Sequence, residues 1–237
     1  MLRRFYNVMH ARANTMAKRI IQTEWLFYTM EGIKEENIPF ILLCILFILS
    51  KTDFNSACLI EQVEIGVDSP DFGVALRAAV RQAPDVIVLG EMRDPESMRI
   101  ALTAAETGHL VFATVHTTDV ASAVARITDG FPTERQNAIR QELAMALAAV
   151  LTQALMRSAN GALIPAAELL MVSYGARQHI RKNALQHLNQ EITITRKAGS
   201  FTLEESLAAL VRAQKLDRQS ALMKAAHPDE LMTLLAG

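Results

Sequence analysis

From Gly66 onward the chain alternates between two hydrophobic patterns. Ser69-Pro70-Asp71 opens a segment with Leu76, Ala79 and Val80 at helical spacing, and Pro84 stops it, which predicts a helix. Asp85 to Gly90 (DVIVLG) is a short apolar run closed by glycine and predicts a buried parallel strand. Asp94-Pro95-Glu96 then supplies a cap, a proline at the first helical position and an acid suited to the helix dipole. That helix is expected to run to about Thr107, where Gly108 ends it, and Leu110 to Val115 (LVFATV) predicts a second buried strand. Strand, helix and strand in this order form a right-handed βαβ unit, so the fold class is α/β with a parallel sheet.

After Phe131-Pro132 the pattern turns mostly helical. Thr133 is placed as the cap of a long amphipathic helix through about Met156, broken at Asn160-Gly161. Leu163 to Met171 reads as an apolar strand or buried segment interrupted by Pro165, and Tyr174 to about Leu188 reads as helix. Ala198-Gly199 is a turn, Thr202-Leu203-Glu204-Glu205 a capping box, and a last helix begins near Asp217. The expected division is residues 1–57, a core over 58–132, and a helical C-terminal region over 133–237.

Residues 1–57 have no clean periodicity, and they hold the single Trp and two of the three Tyr. The apolar run Ile38 to Leu49 (IPFILLCILFIL) is shorter than the ~20 residues a membrane-spanning helix needs and predicts a buried strand or helix. Composition narrows the classes further. Lys plus Arg (24) nearly cancels Asp plus Glu (25), and aromatics are 5%, which argues against a nucleic-acid partner. Two cysteines, Cys44 and Cys58, exclude a four-cysteine zinc site and fit a reducing intracellular setting.

In a parallel sheet, ligands bind beyond the carboxyl ends of the strands. The first predicted strand ends in Gly90-Glu91 and the second in His116-Thr117-Thr118. A carboxylate there can orient a water or reach a metal's water shell, and an imidazole beside it can contact phosphate. Taken alone, such a Glu is more often the start of a solvated loop and such a His more often a hydrogen-bonded structural residue.

Together, DVIVLGEMRD (Asp85 to Asp94) and TGHLVFATVHTTD (Thr107 to Asp119) resemble the secretion ATPase superfamily, the hexameric P-loop motors of type II secretion, type IV pili and conjugation. EIGVDSPDFGVALRAAVRQAPD (Glu64 to Asp85) is similar to the run preceding that family's Walker B strand. The resemblance implies a RecA-like P-loop NTPase core followed by a mostly helical C-terminal region. It makes Glu91 the catalytic glutamate, with Gly90 standing where such strands usually carry an acid, and His116 and His109 the histidine-box residues. Gly175 to Lys182 (GARQHIRK) is similar to the AIRNLIRE motif of the pilus-retraction (twitching-motility) branch. Arg177 and Arg181 match its arginines, whereas Gln178, His179 and Lys182 depart from it.

A P-loop requires G-x-x-x-x-G-K-[ST], whose amides and lysine cradle the phosphates. No glycine here is followed by lysine and no two glycines lie five apart. The family's acidic box is absent too, and residues 1–57 resemble nothing in it. The resemblance therefore implies ATP and Mg2+ as cofactors and no other metal site. It further implies a homohexamer on an inner-membrane pilus platform at its cytoplasmic face, and ATP hydrolysis impaired in this chain. A non-catalytic remnant and a related conjugation or secretion ATPase are the alternatives.

Overall fold

The structure, a computed structural model, describes residues 40–44 and 61–236. Five strands form one sheet in the order β2-β3-β1-β4-β5. They are β1 Phe40–Cys44, β2 Val86–Leu89, β3 Leu110–Thr114, β4 Leu147–Arg157 and β5 Leu163–Met171. β1 runs parallel to both β3 and β4, β2 is parallel to β3, and β5 returns antiparallel to β4. The apolar run at 38–49 thus supplies the middle strand. The expectations for the remainder of residues 1–57 lie outside the described residues.

The helices are α1 Phe72–Arg81, α2 Pro95–Glu106, α3 Val120–Asp129, α4 Thr133–Ala146, α5 Tyr174–Arg181, α6 Leu188–Ile194, α7 Leu203–Arg212, α8 Arg218–Lys224 and α9 Pro228–Ala236. Local chemistry sets most of their starts. Asp71, Asp94, Asp119 and Asp217 each accept a hydrogen bond from the third residue on, and Thr202 with Glu205 forms the complete capping box. Gly108, at φ +98°, takes the left-handed conformation that turns the chain from α2 into β3.

Three expected elements differ. The long helix expected through Met156 stops at Ala146, and Leu147–Arg157 is β4. Its alanine- and leucine-rich sequence favours helix locally, but both of its edges are hydrogen-bonded, to β1 and to β5, and packing overrides propensity. Thr133 does not cap α4; Pro132 precedes the helix and no side chain caps it. The helix expected to about Leu188 ends at Arg181. Asn183 follows at φ 55°, and a 3-10 turn over Leu185–His187 leads into α6.

One sheet face packs against α1 to α6, with Ile87, Leu89, Val111, Ala113, Leu147, Val150 and Leu170 in the core. The other carries a smaller apolar layer of Leu110, Ala149, Leu151 and Leu169, which reaches half-buried Val86 and Phe112. Val88 at the β2 edge is 59% exposed. The far ends of β4 and β5 pack through Met156 and Ala166 on α7 to α9.

The outer edge of β5 is protected residue by residue. The amides of Ala167, Leu169 and Met171 donate to Ser206 Oγ (3.0 Å), the Phe201 carbonyl (2.9 Å) and Ser200 Oγ (2.8 Å). Pro165, next in that series, has no amide hydrogen to satisfy, so proline at this edge costs no ladder bond.

Candidate functional site

β2 and β3 end at the same sheet edge, with Leu89 opposite Ala113. Each then delivers one reactive side chain. Glu91 Oε1 lies 3.1 Å from His116 Nε2, and Glu91 Oε2 accepts a hydrogen bond from Arg93 Nε at 2.5 Å. The carboxylate is 21% exposed, whereas His116 and Arg93 stand mostly in solvent. Each carboxylate oxygen keeps a second lone pair, so Glu91 can accept a hydrogen bond from a water without giving up His116 or Arg93.

The two strand tips are stitched together behind this pair. The Met92 amide donates to the Thr114 carbonyl at 3.1 Å, and the Thr114 hydroxyl donates to the Gly90 carbonyl. The Met92 side chain is 2% exposed and anchors the loop in the core immediately after Glu91. Thr114→Val removes this hydrogen bond and leaves the exposed Gly90 carbonyl to water. Urea denaturation is expected to register a loss of about 1 kcal/mol; a loss under about 0.5 kcal/mol would mean that the clamp is idle.

Gly90 borders open space. Among the described residues no atom lies within 4 Å of a Cβ built on it, so the acid usual at this position would be accommodated.

The structure brings Glu91 and His116 together and keeps His109 apart. His109 precedes β3 and His116 follows it, so six residues, Leu110 to Val115, separate them, a span of roughly 20 Å when extended. The His109 ring serves the end of α2, with Nδ1 3.0 Å from the Ala104 carbonyl and 3.2 Å from Thr107 Oγ1. Arg177 and Arg181 lie on α5, away from the strand tips. Arg177 donates to the carbonyls of Ala144 and Met145 at the carboxyl end of α4, where a cation complements the helix dipole. Burial and the neighbouring Arg181 guanidinium lower its pKa from the ordinary arginine value. Arg181 Nε is buried without a hydrogen-bond partner among the described residues.

His179 and Gly175, where this stretch departs from the motif or begins it, contact the same acid. His179 Nε2 is 3.7 Å from Glu191 Oε1, and Glu191 Oε2 accepts from Ser173 Oγ, the α5 cap, at 2.5 Å. A Cβ on Gly175 would clash with the Glu191 carboxylate, which makes glycine the residue that fits.

Arg93, Met92 and Thr114 were not singled out by the sequence. The signal for Arg93 was its place in GEMRD, two residues beyond Glu91; the clamp through Thr114 depends on strand register and leaves no local signature. No helix among the described residues is long and apolar enough to cross a membrane.

Comparison with known proteins bears on the family and the fold. The family described as Type II/IV secretion system protein matches residues 59–229. The Pseudomonas aeruginosa type IV pilus retraction ATPase PilT is 39% identical over 172 residues, 73% of this chain and 50% of that protein. A twitching motility protein of Neisseria gonorrhoeae is 38% identical over 174 residues, 73% of this chain and 46% of that protein. The crystal structure of the pilus retraction motor PilT with bound ADP superposes with a TM-score of 0.67 at 32% identity, covering 88% of this chain and 58% of that one. The chain spans about half the length of the curated relatives it matches. With the match taking in most of the sequence and the strand-tip pair in place, the chain belongs to the type II/IV secretion system protein family.

Proposed function

We propose that Glu91 and His116 form the hydrolytic end of the nucleotide site of a pilus-retraction motor ATPase. The observation that carries this reading is their contact at the carboxyl ends of adjacent parallel strands. Glu91 orients or activates a water, and His116, with Nε2 against Glu91, senses or stabilises the phosphate end. When bound, ATP with Mg2+ supplies the phosphoryl group and the charge neutralisation its transfer needs. His109 stays outside this assignment because it lies at the opposite end of β3. Arg177 and Arg181 couple the ATPase core to retraction, Arg177 through its grip on the end of α4. The partners are further copies of the subunit, in a hexamer, and a pilus platform protein of the inner membrane, with the chain on the cytoplasmic side.

The same reading makes this 237-residue sequence a poor ATPase by itself, since it contains no G-x-x-x-x-G-K-[ST] segment to hold the phosphates. The family match begins at residue 59. A chimaera placing the N-terminal half of the Pseudomonas aeruginosa PilT before that point is expected to hydrolyse Mg-ATP. Glu91→Gln in the chimaera is expected to slow turnover about 100-fold or more, the loss typical of a removed general base. Equal turnover in the two chimaeras would remove Glu91 from the chemistry.

A further inference from the structure

A cavity of about 260 Å3 lies behind the His116 loop, with Thr118, Asp119, Glu168, Thr202, Glu204 and His227 in its wall. Glu168 is the acid in an otherwise apolar strand, on β5 opposite Thr152 of β4. Its Oε1 accepts a hydrogen bond from the Val120 amide at 3.3 Å, across 48 residues of sequence. Val120 is fully buried at the first turn of α3. The cap of that helix serves other donors: Asp119 accepts from the Ser122 amide (2.8 Å), the Ser122 hydroxyl (2.6 Å) and Thr118 Oγ1 (3.0 Å), a cap side chain reaching the second or third helical amide and not the first. Among the described residues Glu168 is the acceptor that the Val120 N–H finds. Three residues, Thr117 to Asp119, separate it from His116. The His116 segment is therefore tied at its front by the Thr114 clamp and at its rear by Glu168.

We propose that Glu168 is a positioning residue for His116, fixing through the Val120 amide the path of residues 117–119 and so the place of the imidazole against Glu91. The role rests on reading the Glu91–His116 pair as the working end of a nucleotide site. The charged groups around Glu168 come from several elements: Asp119 at α3, Glu204 on α7 and His227 ahead of α9 interact with it, and Lys224 and Glu230 line the same cavity. Burial raises its pKa to about 7, the Val120 bond opposes that, Asp119 and Glu204 raise it further and His227 lowers it. The Val120 bond can be made by a neutral acid as well as by a carboxylate, which makes the acceptor oxygen, and not the charge, the working feature.

The test uses the whole chain with 13C-labelled histidine, the His116 Cε1–H resonance being assigned with His116→Gln. Glu168→Ala is expected to shift or broaden that resonance and to speed amide exchange over residues 117–120 by about tenfold, the loss of one hydrogen bond. Glu168→Gln, which keeps an acceptor, is expected to restore both. Val120→Pro severs the same bond from the other side, at a first helical position where proline is tolerated beside the extended Asp119 (φ −149°), and is expected to move His116 as Glu168→Ala does. It also supplies the answer if Glu168→Ala does not fold. An unmoved His116 in either folded variant overturns the proposal, and so does Glu168→Gln behaving like Glu168→Ala. No nucleotide enters this measurement. A chimaera indifferent to Glu91→Gln would instead overturn the site reading and leave this result standing.

Discussion

Met92→Ala is expected to cost about 2–5 kcal/mol in urea denaturation, the range for removing a buried long apolar side chain. Met92 is 2% exposed and packs in the main core with β2, β3 and α1 to α6. Its amide holds the Thr114 carbonyl at 3.1 Å, so its position is set twice, by packing and by backbone. Among the described residues the Glu91 carboxylate, one residue earlier, is held by Arg93 and His116. The alanine variant should therefore also loosen the strand-tip pair, seen as faster amide exchange over residues 90–93. Met92→Leu conserves most of the volume and is expected to cost less than about 1.5 kcal/mol. Similar costs for the two substitutions would show that packing at this position does not anchor the loop.

The second large effect is a pH dependence. The Glu168 pKa is raised from 4.5 to about 7, burial being the largest cause. The native state thus prefers the protonated acid. Its contribution to stability is fully present below the ordinary value of 4.5 and is lost as pH rises through about 7. The whole excursion corresponds to on the order of 3 kcal/mol. Glu168→Gln has no proton to lose, so it should match the wild type near pH 4.5 and become the more stable protein by up to about 3 kcal/mol at pH 8. Urea midpoints at pH 4.5, 6, 7 and 8 measure this directly. A stability difference that does not change with pH would mean that Glu168 is not buried as an acid. This result and the positioning role agree, because glutamine keeps the acceptor for Val120 while removing the buried charge.

Much of the fold was legible because its signals were local. Asp94-Pro95 marks the start of α2, Gly108 its end, and the apolar runs on either side are short enough to be strands. The signal for α3 was equally local, Asp119 capping three residues ahead of Ser122, although the alternating reading passed over it. β4 was not legible. LAAVLTQALMR carries strong helix formers, and only the hydrogen-bonded edges offered by β1 and β5 make it a strand. The site divides in the same way. Glu91 and His116 follow from the rule that parallel strands present chemistry at their carboxyl ends. His109 belongs to the same sequence motif, but the strand between them carries it to the other end of the sheet. Glu168 acts on a backbone amide 48 residues away, and its single trace in the sequence is an acid inside PAAELLM.

Family membership and local activity are separate matters for this chain. The fold and the family match go with the secretion and pilus motors. The absent phosphate-loop sequence bears on turnover, because phosphoryl transfer depends on holding the phosphates before any water is aimed.

The most direct test is ATP binding and Mg2+-dependent hydrolysis by the purified 237-residue chain, with Glu91→Gln alongside. The account predicts no turnover above background for either protein. Robust turnover lost on Glu91→Gln would contradict it, and would require a phosphate cradle built from residues other than a P-loop.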